Sequence, residues 1–169
     1  MLRSRLGGFS LVELVIVMVI VAIVAATVAL RLSAQTNSAV VGDADQLRRN
    51  LSHVQALALG WGARLRVATA ADGRSYSVTC RTALGRDPCN AVGDSVTDPA
   101  TGTAFSVTLS SGVTLAPVSN TLDFDSLGRP VGTTGLLSST PVVTYTLTGG
   151  SRTVTITVAP ITGFALGSY

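Results

Sequence analysis

The chain has 169 residues, 47% of them apolar and 12% charged, with twelve basic residues, all Arg, against nine acids, eight Asp and the single Glu13. That is the size of one ordinary domain. The apolar content excludes a disordered chain, and two cysteines are too few for a disulfide-dense miniprotein.

In chain order, the first feature is the start MLRSRLGG, which carries Arg3 and Arg5, followed by an apolar run. Leu14 to Leu30 contains no charge, Pro or Gly, and Thr27 is its only polar side chain. A transmembrane helix needs about 17–25 such residues, and the positive-inside rule keeps the two arginines cytoplasmic. A cleavable secretory signal and a plain signal anchor both fit the run, although secretory cores are usually shorter. Neither explains Glu13, the one Glu of the chain, placed beside its most apolar stretch. An ionisable group there calls for a function and a partner. A local role is a capping box, because Ser10-x-x-Glu13 satisfies free donors at a helix start and an acid in the first turn complements the helix dipole.

Gly7-Gly8-Phe9-Ser10-Leu11-Val12-Glu13-Leu14 resembles the class III signal of prepilins: a short basic leader ending in Gly, an aromatic residue, then Glu four residues on. The resemblance implies cleavage between Gly8 and Phe9 by a membrane-embedded prepilin peptidase and N-methylation of Phe9. It also implies that Glu13 meets the N-terminal amine of a neighbouring subunit during filament assembly.

From Val40 the apolar positions Val40, Ala44, Leu47, Leu51, Val54 and Ala58 step by 4, 3, 4, 3 and 4, one helical face. Asp43, Asp45, Arg48, Arg49 and Gln55 lie off it. The pattern predicts a helix from the apolar run to about Leu59, stopped by Gly60-Trp61-Gly62, with Gly42 as its weak point or bend. His53 reads as a surface or half-buried helical His. From Arg64 the period becomes two. Strands are predicted around Leu65–Val67, Tyr76–Cys80, Phe105–Leu109 and Leu122–Phe124, and a hairpin sets Val143, Tyr145 and Leu147 against Val154, Ile156 and Val158 across Gly149-Gly150. The expected fold is α+β and pilin-like: a long N-terminal helix packed on an antiparallel sheet head. The expected organisation is a leader over 1–8, a membrane or filament-core helix over 9–30, the amphipathic half over 31–60 and the head over 61–169.

Gly85 to Gly102 reads as a long loop. Cys80 and Cys89 have the wrong spacing for a paired CxxC zinc site, and outside the cytoplasm a disulfide closing this loop is favoured; the alternative is two buried free thiols.

A second resemblance narrows the branch. Thr121-Leu122-Asp123-Phe124-Asp125-Ser126-Leu127-Gly128-Arg129-Pro130 is similar to a strand-plus-turn segment of GspH/FimT minor pseudopilins, and Thr153 to Phe164 to that family's last strand and Thr-Gly tail. The plain reading of Gly128-Arg129-Pro130 is a tight turn with Arg129 solvated. The family implies a low-abundance subunit that initiates or caps a type IV pilus or a type II secretion pseudopilus. It further implies a single-pass bacterial inner-membrane protein with a periplasmic head, later part of a periplasmic or extracellular filament. Its partners would be the prepilin peptidase, membrane lipid, the inner-membrane assembly machinery and other pilins.

Two other functions compete. Some relatives bind DNA through a C-terminal Gly-Arg-x-Arg motif, but this chain has no Arg after Arg152, and loss of the leader leaves ten arginines against nine acids, a formal +1. DNA binding wants a concentrated basic patch, and Arg64 and Arg66 on one strand face, with Arg74 as an addition, are the candidates. A solvated face is the plainer reading, so nucleic acid is not an expected partner. An exported enzyme finds little support: there is one His, no metal-ligand cluster, no phosphate loop and no GxSxG, and no cofactor is implied. Asp123 and Asp125 share a strand face, where both are expected to point to water.

Overall fold

The computed structural model describes residues 10–98, 101–132, 135–136 and 143–169, with side chains throughout these except at 28–34 and 135–136. Its elements are helix α1 (Leu11–Trp61) and strands β1 (Leu65–Thr69), β2 (Ser75–Cys80), β3 (Ser106–Thr108), β4 (Thr114–Ala116), β5 (Thr121–Phe124), β6 (Pro130–Gly132), β7 (Gly135–Leu136), β8 (Val143–Gly149), β9 (Arg152–Val158) and β10 (Ala165–Ser168). The chain divides into two compact units, Met1–Gln35 and Thr36–Tyr169.

In the first unit, Ser10 sits at the N-cap position and its carbonyl accepts the first helical hydrogen bond, from Leu14 N–H at 3.2 Å. The large apolar side chains from Leu11 to Val24 are all exposed, from 48% at Val15 to 79% at Leu11. The Thr27 hydroxyl donates back to the Val24 carbonyl at 2.8 Å, which hides its polar hydrogen along the helix. Among the described residues no helix is long and apolar enough to cross a membrane. The described apolar stretch, Leu11 to Thr27, rises about 26 Å at 1.5 Å per residue, slightly less than a hydrocarbon core of about 30 Å.

In the second unit the helix buries the face its spacing marks. Val40, Ala44, Leu47, Leu51, Val54 and Ala58 are all 1% exposed or less. The helix runs unbroken through Gly42, where an added Cβ would meet nothing within 4 Å. One Gly costs a helix interior only about 1 kcal/mol, and burial of Val40 and Ala44 on either side offsets it.

The head holds two antiparallel sheets rather than one. The first runs β3-β2-β1-β5-β6-β7 and the second β10-β9-β8-β4. The hairpin forms in the register its alternation sets, with Val143 opposite Val158, Tyr145 opposite Ile156 and Leu147 opposite Val154. Gly150 supplies the positive φ of its turn. Sheet two closes through β4, which pairs Leu115 with Leu147 and buries Leu115 in the shared core. Three residues ending at Pro117 are too short to show a period of two, so β4 was not legible. Phe105 and Leu109 flank β3 and are buried beside Leu65, Val67, Tyr76, Val78, Leu122 and Phe124 from sheet one and Tyr145, Val154 and Ile156 from sheet two.

Truncating Leu51 to Ala removes a fully buried side chain from the centre of the helix face. It is expected to lower unfolding free energy by about 2–5 kcal/mol, read by chemical denaturation.

Candidate functional site

Glu13 lies in the first turn of α1, exposed, with Leu14, Val17 and Met18 beside it on the helix surface. An acid in the first turn complements the helix dipole. Among the described residues it makes no ion pair, which leaves both oxygens open to a cation from elsewhere. Gly8 and Phe9, the expected cleavage and methylation sites, lie outside the described residues, as do Arg3 and Arg5.

Cys80 and Cys89 form a disulfide, with their Cα atoms 5.6 Å apart. Both are fully buried, so the bridge ties the root of the following loop to the core. The loop is held further by backbone bonds: Leu84 N–H donates to the Cys89 carbonyl at 2.7 Å, and Gly93 N–H to the Cys80 carbonyl at 2.8 Å. For a closed loop of about ten residues the chain-entropy argument gives a stabilisation of about 2–3 kcal/mol.

Asp123 does not point to water. It is 2% exposed and carries an arginine cluster on the outer face of sheet one. Alternation along β5 buries Leu122 and Phe124 and turns Asp123 outward, as its spacing implies. On that face its direct cross-strand neighbour is Arg66. Arg66 Nε and Nη2 donate to its two carboxylate oxygens at 2.6 and 3.0 Å, and Arg64 Nε and Nη2 approach Oδ2 at 3.0 and 2.7 Å. Long arginine stems lie over the sheet and cover the short acid, which the period of two cannot reveal. Arg64 and Arg66 are therefore tied to an acid rather than presented as a free basic pair. The ion pair and its hydrogen bonds hold the Arg66 pKa above its ordinary value, against the opposing effect of burial.

Asp125 is engaged differently. It folds the Ser126–Arg129 turn on itself: Oδ1 accepts from Leu127 N–H at 2.9 Å and Arg129 N–H at 2.8 Å, and Oδ2 from Arg129 Nε at 2.9 Å. Gly128, at φ 70°, allows the close turn. The turn is present as its sequence implies, and Arg129, still 39% exposed, folds back onto Asp125. With each acid bound to arginine, the two do not form a carboxylate pair for acid–base work.

Two anchoring residues escaped the sequence reading. Gln55 donates its amide to the Gly128 carbonyl at 2.7 Å and to the Thr162 carbonyl at 2.5 Å, joining α1 to the Asp125 turn and to the Thr-Gly segment. A Cβ on Gly163 would lie 2.9 Å from the Gln55 amide and from Phe124, so only Gly fits there. Asp43, expected off the buried face, is 7% exposed and accepts from Ser110 N–H at 2.8 Å and its hydroxyl at 3.0 Å. A polar residue at the rim of an apolar stripe carries no sequence mark of such a long-range partner. His53 is exposed, its ring centroid 6.2 Å from that of Phe105.

A long N-terminal helix whose first turns are apolar and exposed beside a lone acid, together with an antiparallel β head, is a pilin-like α+β fold. Residues 3–29 match the prokaryotic N-terminal methylation motif. Among solved structures, the minor pseudopilin EpsH from the type 2 secretion system of Vibrio cholerae shares the fold, with a TM-score of 0.52 at 16% identity, covering 75% of this chain and 93% of that one. No curated protein matches the chain. The chain thus carries a prepilin signal on a pilin-like α+β fold, which fits a membrane-anchored and then filament-associated subunit.

Burial acts to raise the Asp125 pKa, but bonds from the Arg129 side chain and the Arg129 and Leu127 N–H groups outweigh it and hold it below the ordinary carboxylate value. A lowered native pKa stabilises the fold fully above the unfolded value of about 3.9, and that share is lost as pH falls through the native value. Urea unfolding across this acid range is expected to show a shallower loss of stability in Asp125→Asn than in the unmodified chain.

Proposed function

We propose that this chain is a minor pilin or pseudopilin, a structural subunit that initiates or caps a type IV pilus or a type II secretion pseudopilus. The observation that carries the reading is the pairing of the methylation motif over residues 3–29 with a helix whose large side chains from Leu11 to Val24 are apolar and exposed. Such a surface packs against lipid before assembly and against copies of the same kind of helix afterwards. Repeated contacts of that type are heterologous and do not close, so they propagate as a filament.

In this reading residues 1–8 are a leader removed by prepilin peptidase between Gly8 and Phe9, and Phe9 becomes the N-methylated terminus. Residues 9–30 form the membrane and filament-core helix, 31–60 its amphipathic half and 61–169 the head. The protein starts in the bacterial inner membrane with its head in the periplasm, and the assembly machinery draws it into the filament. Glu13 pairs with the N-terminal amine of a neighbouring subunit, because a carboxylate among apolar groups needs a cation once water is excluded. A DNA receptor at a pilus tip is the weaker reading, since Arg64 and Arg66 are each bound through Nε and Nη2 to Asp123 and are not a free basic pair.

Mass spectrometry of the exported chain is expected to give N-methyl-Phe9 as the first residue. A start at Thr27 or beyond is the result of an ordinary signal peptide and overturns the proposal. Glu13→Ala is expected to leave cleavage largely intact while filament incorporation, measured in sheared fractions, falls at least tenfold. Normal incorporation removes the amine-pairing role.

A further inference from the structure

The arginine cluster on sheet one holds more positive charge than its acid can neutralise. Backbone N–H of Arg81 donates to the Arg64 carbonyl at 2.7 Å, so the ladder between β1 and β2 extends one step past Cys80 and sets Arg81 beside Arg64. Asp123 Oδ2, the oxygen nearest Arg81, already takes Arg64 Nε and Nη2 and Arg66 Nη2, while Oδ1 takes Arg66 Nε. Arg81 is left outside: its Nε stands 4.0 Å from Asp123 Oδ2, beyond hydrogen-bond reach, and its side chain is 39% exposed. Among the described residues its guanidinium makes no hydrogen bond. Three cations therefore surround one anion, an excess of two charges, while the neighbouring Arg129–Asp125 pair is neutral by itself.

We propose that Arg81, with the outward edge of Arg64, is a receptor for a second carboxylate, supplied by an acidic side chain of another protein subunit. The guanidinium fork matches a carboxylate in two-point geometry. Asp123 already fixes the orientation of Arg64 and Arg66, so less side-chain freedom is lost when the second anion arrives. An incoming carboxylate also relieves the repulsion among the three cations. The patch is compact, which favours a discrete acid over a polyanion. Arg74 lies at the opposite end of β2 and Arg152 opens β9 in the other sheet, so of these arginines only Arg64, Arg66 and Arg81 share the cluster, and an oligonucleotide probe separates a polyanion from a discrete acid.

The site is independent of the filament reading and can be tested on the full-length monomer in detergent. Arginine side-chain 15N NMR is recorded while three probes are added at matched charge and low salt: a tetraglutamate peptide, acetate and a short oligonucleotide. The peptide is expected to shift the Arg81 and Arg64 Nε–Hε signals saturably, more tightly than acetate. Arg81→Gln is expected to weaken peptide binding at least tenfold with little change in the unfolding midpoint, since it keeps the backbone bond to Arg64 and removes only a long, half-exposed ion pair at 4.0 Å. Arg74→Gln, as a charge control, is expected to leave binding unchanged. Absence of a saturable shift, acetate binding as tightly as the peptide, the oligonucleotide binding more tightly, or equal loss in the Arg74→Gln control would each overturn the proposal.

Discussion

Removal of apolar helix surface from water is the constraint on which this protein depends. In α1 the same kinds of side chain meet two fates. From Val40 to Ala58 one stripe is covered by two sheets, and each buried Leu or Val on it contributes about 1.5–3 kcal/mol. From Leu11 to Val24 the apolar surface runs around the whole helix and stays exposed in the isolated chain. A monomeric soluble protein rarely tolerates so large an apolar surface, so this half demands lipid or another helix.

The head is built to keep the covered half fixed. Gln55 and Asp43, on opposite ends of the amphipathic stretch, carry polar ties from the helix into loops of the head: Gln55 to the Gly128 and Thr162 carbonyls, Asp43 to Ser110. The Cys80–Cys89 bridge does the same for the long loop, whose ordered backbone bonds would be costly without it. At the C-terminus the Tyr169 hydroxyl donates to Asp45, and that bond raises the Tyr169 pKa. Tyr145, fully buried on β8, is the exception: its hydroxyl lacks a partner among the described residues, and burial drives its pKa up. Tyr76, the other tyrosine of the core, has its hydroxyl satisfied by Asn50 at 2.8 Å.

Features with a strict period or a local chemical signature were legible in the sequence. The buried helix face, the β8–β9 register and the disulfide follow from spacing 3.6, spacing 2 and the redox logic of two cysteines near one loop. Long-range polar geometry was not legible. Asp123 alternates outward as a solvent-facing acid would, and only the arrival of Arg66 from the neighbouring strand buries it. Asp43 and Gln55 look like ordinary polar neighbours of an apolar stripe, because their partners lie 67 and 73 or more residues away. The second sheet depends on a three-residue strand with too few positions to show a pattern.

The exposed helix half is expected to find its cover in other subunits. A photo-crosslinking residue placed at Val17 in cells assembling the filament tests it directly. Covalent adducts with a second pilin-like chain are expected, and only when assembly is active. Adducts with lipid alone, unchanged by assembly, would contradict it.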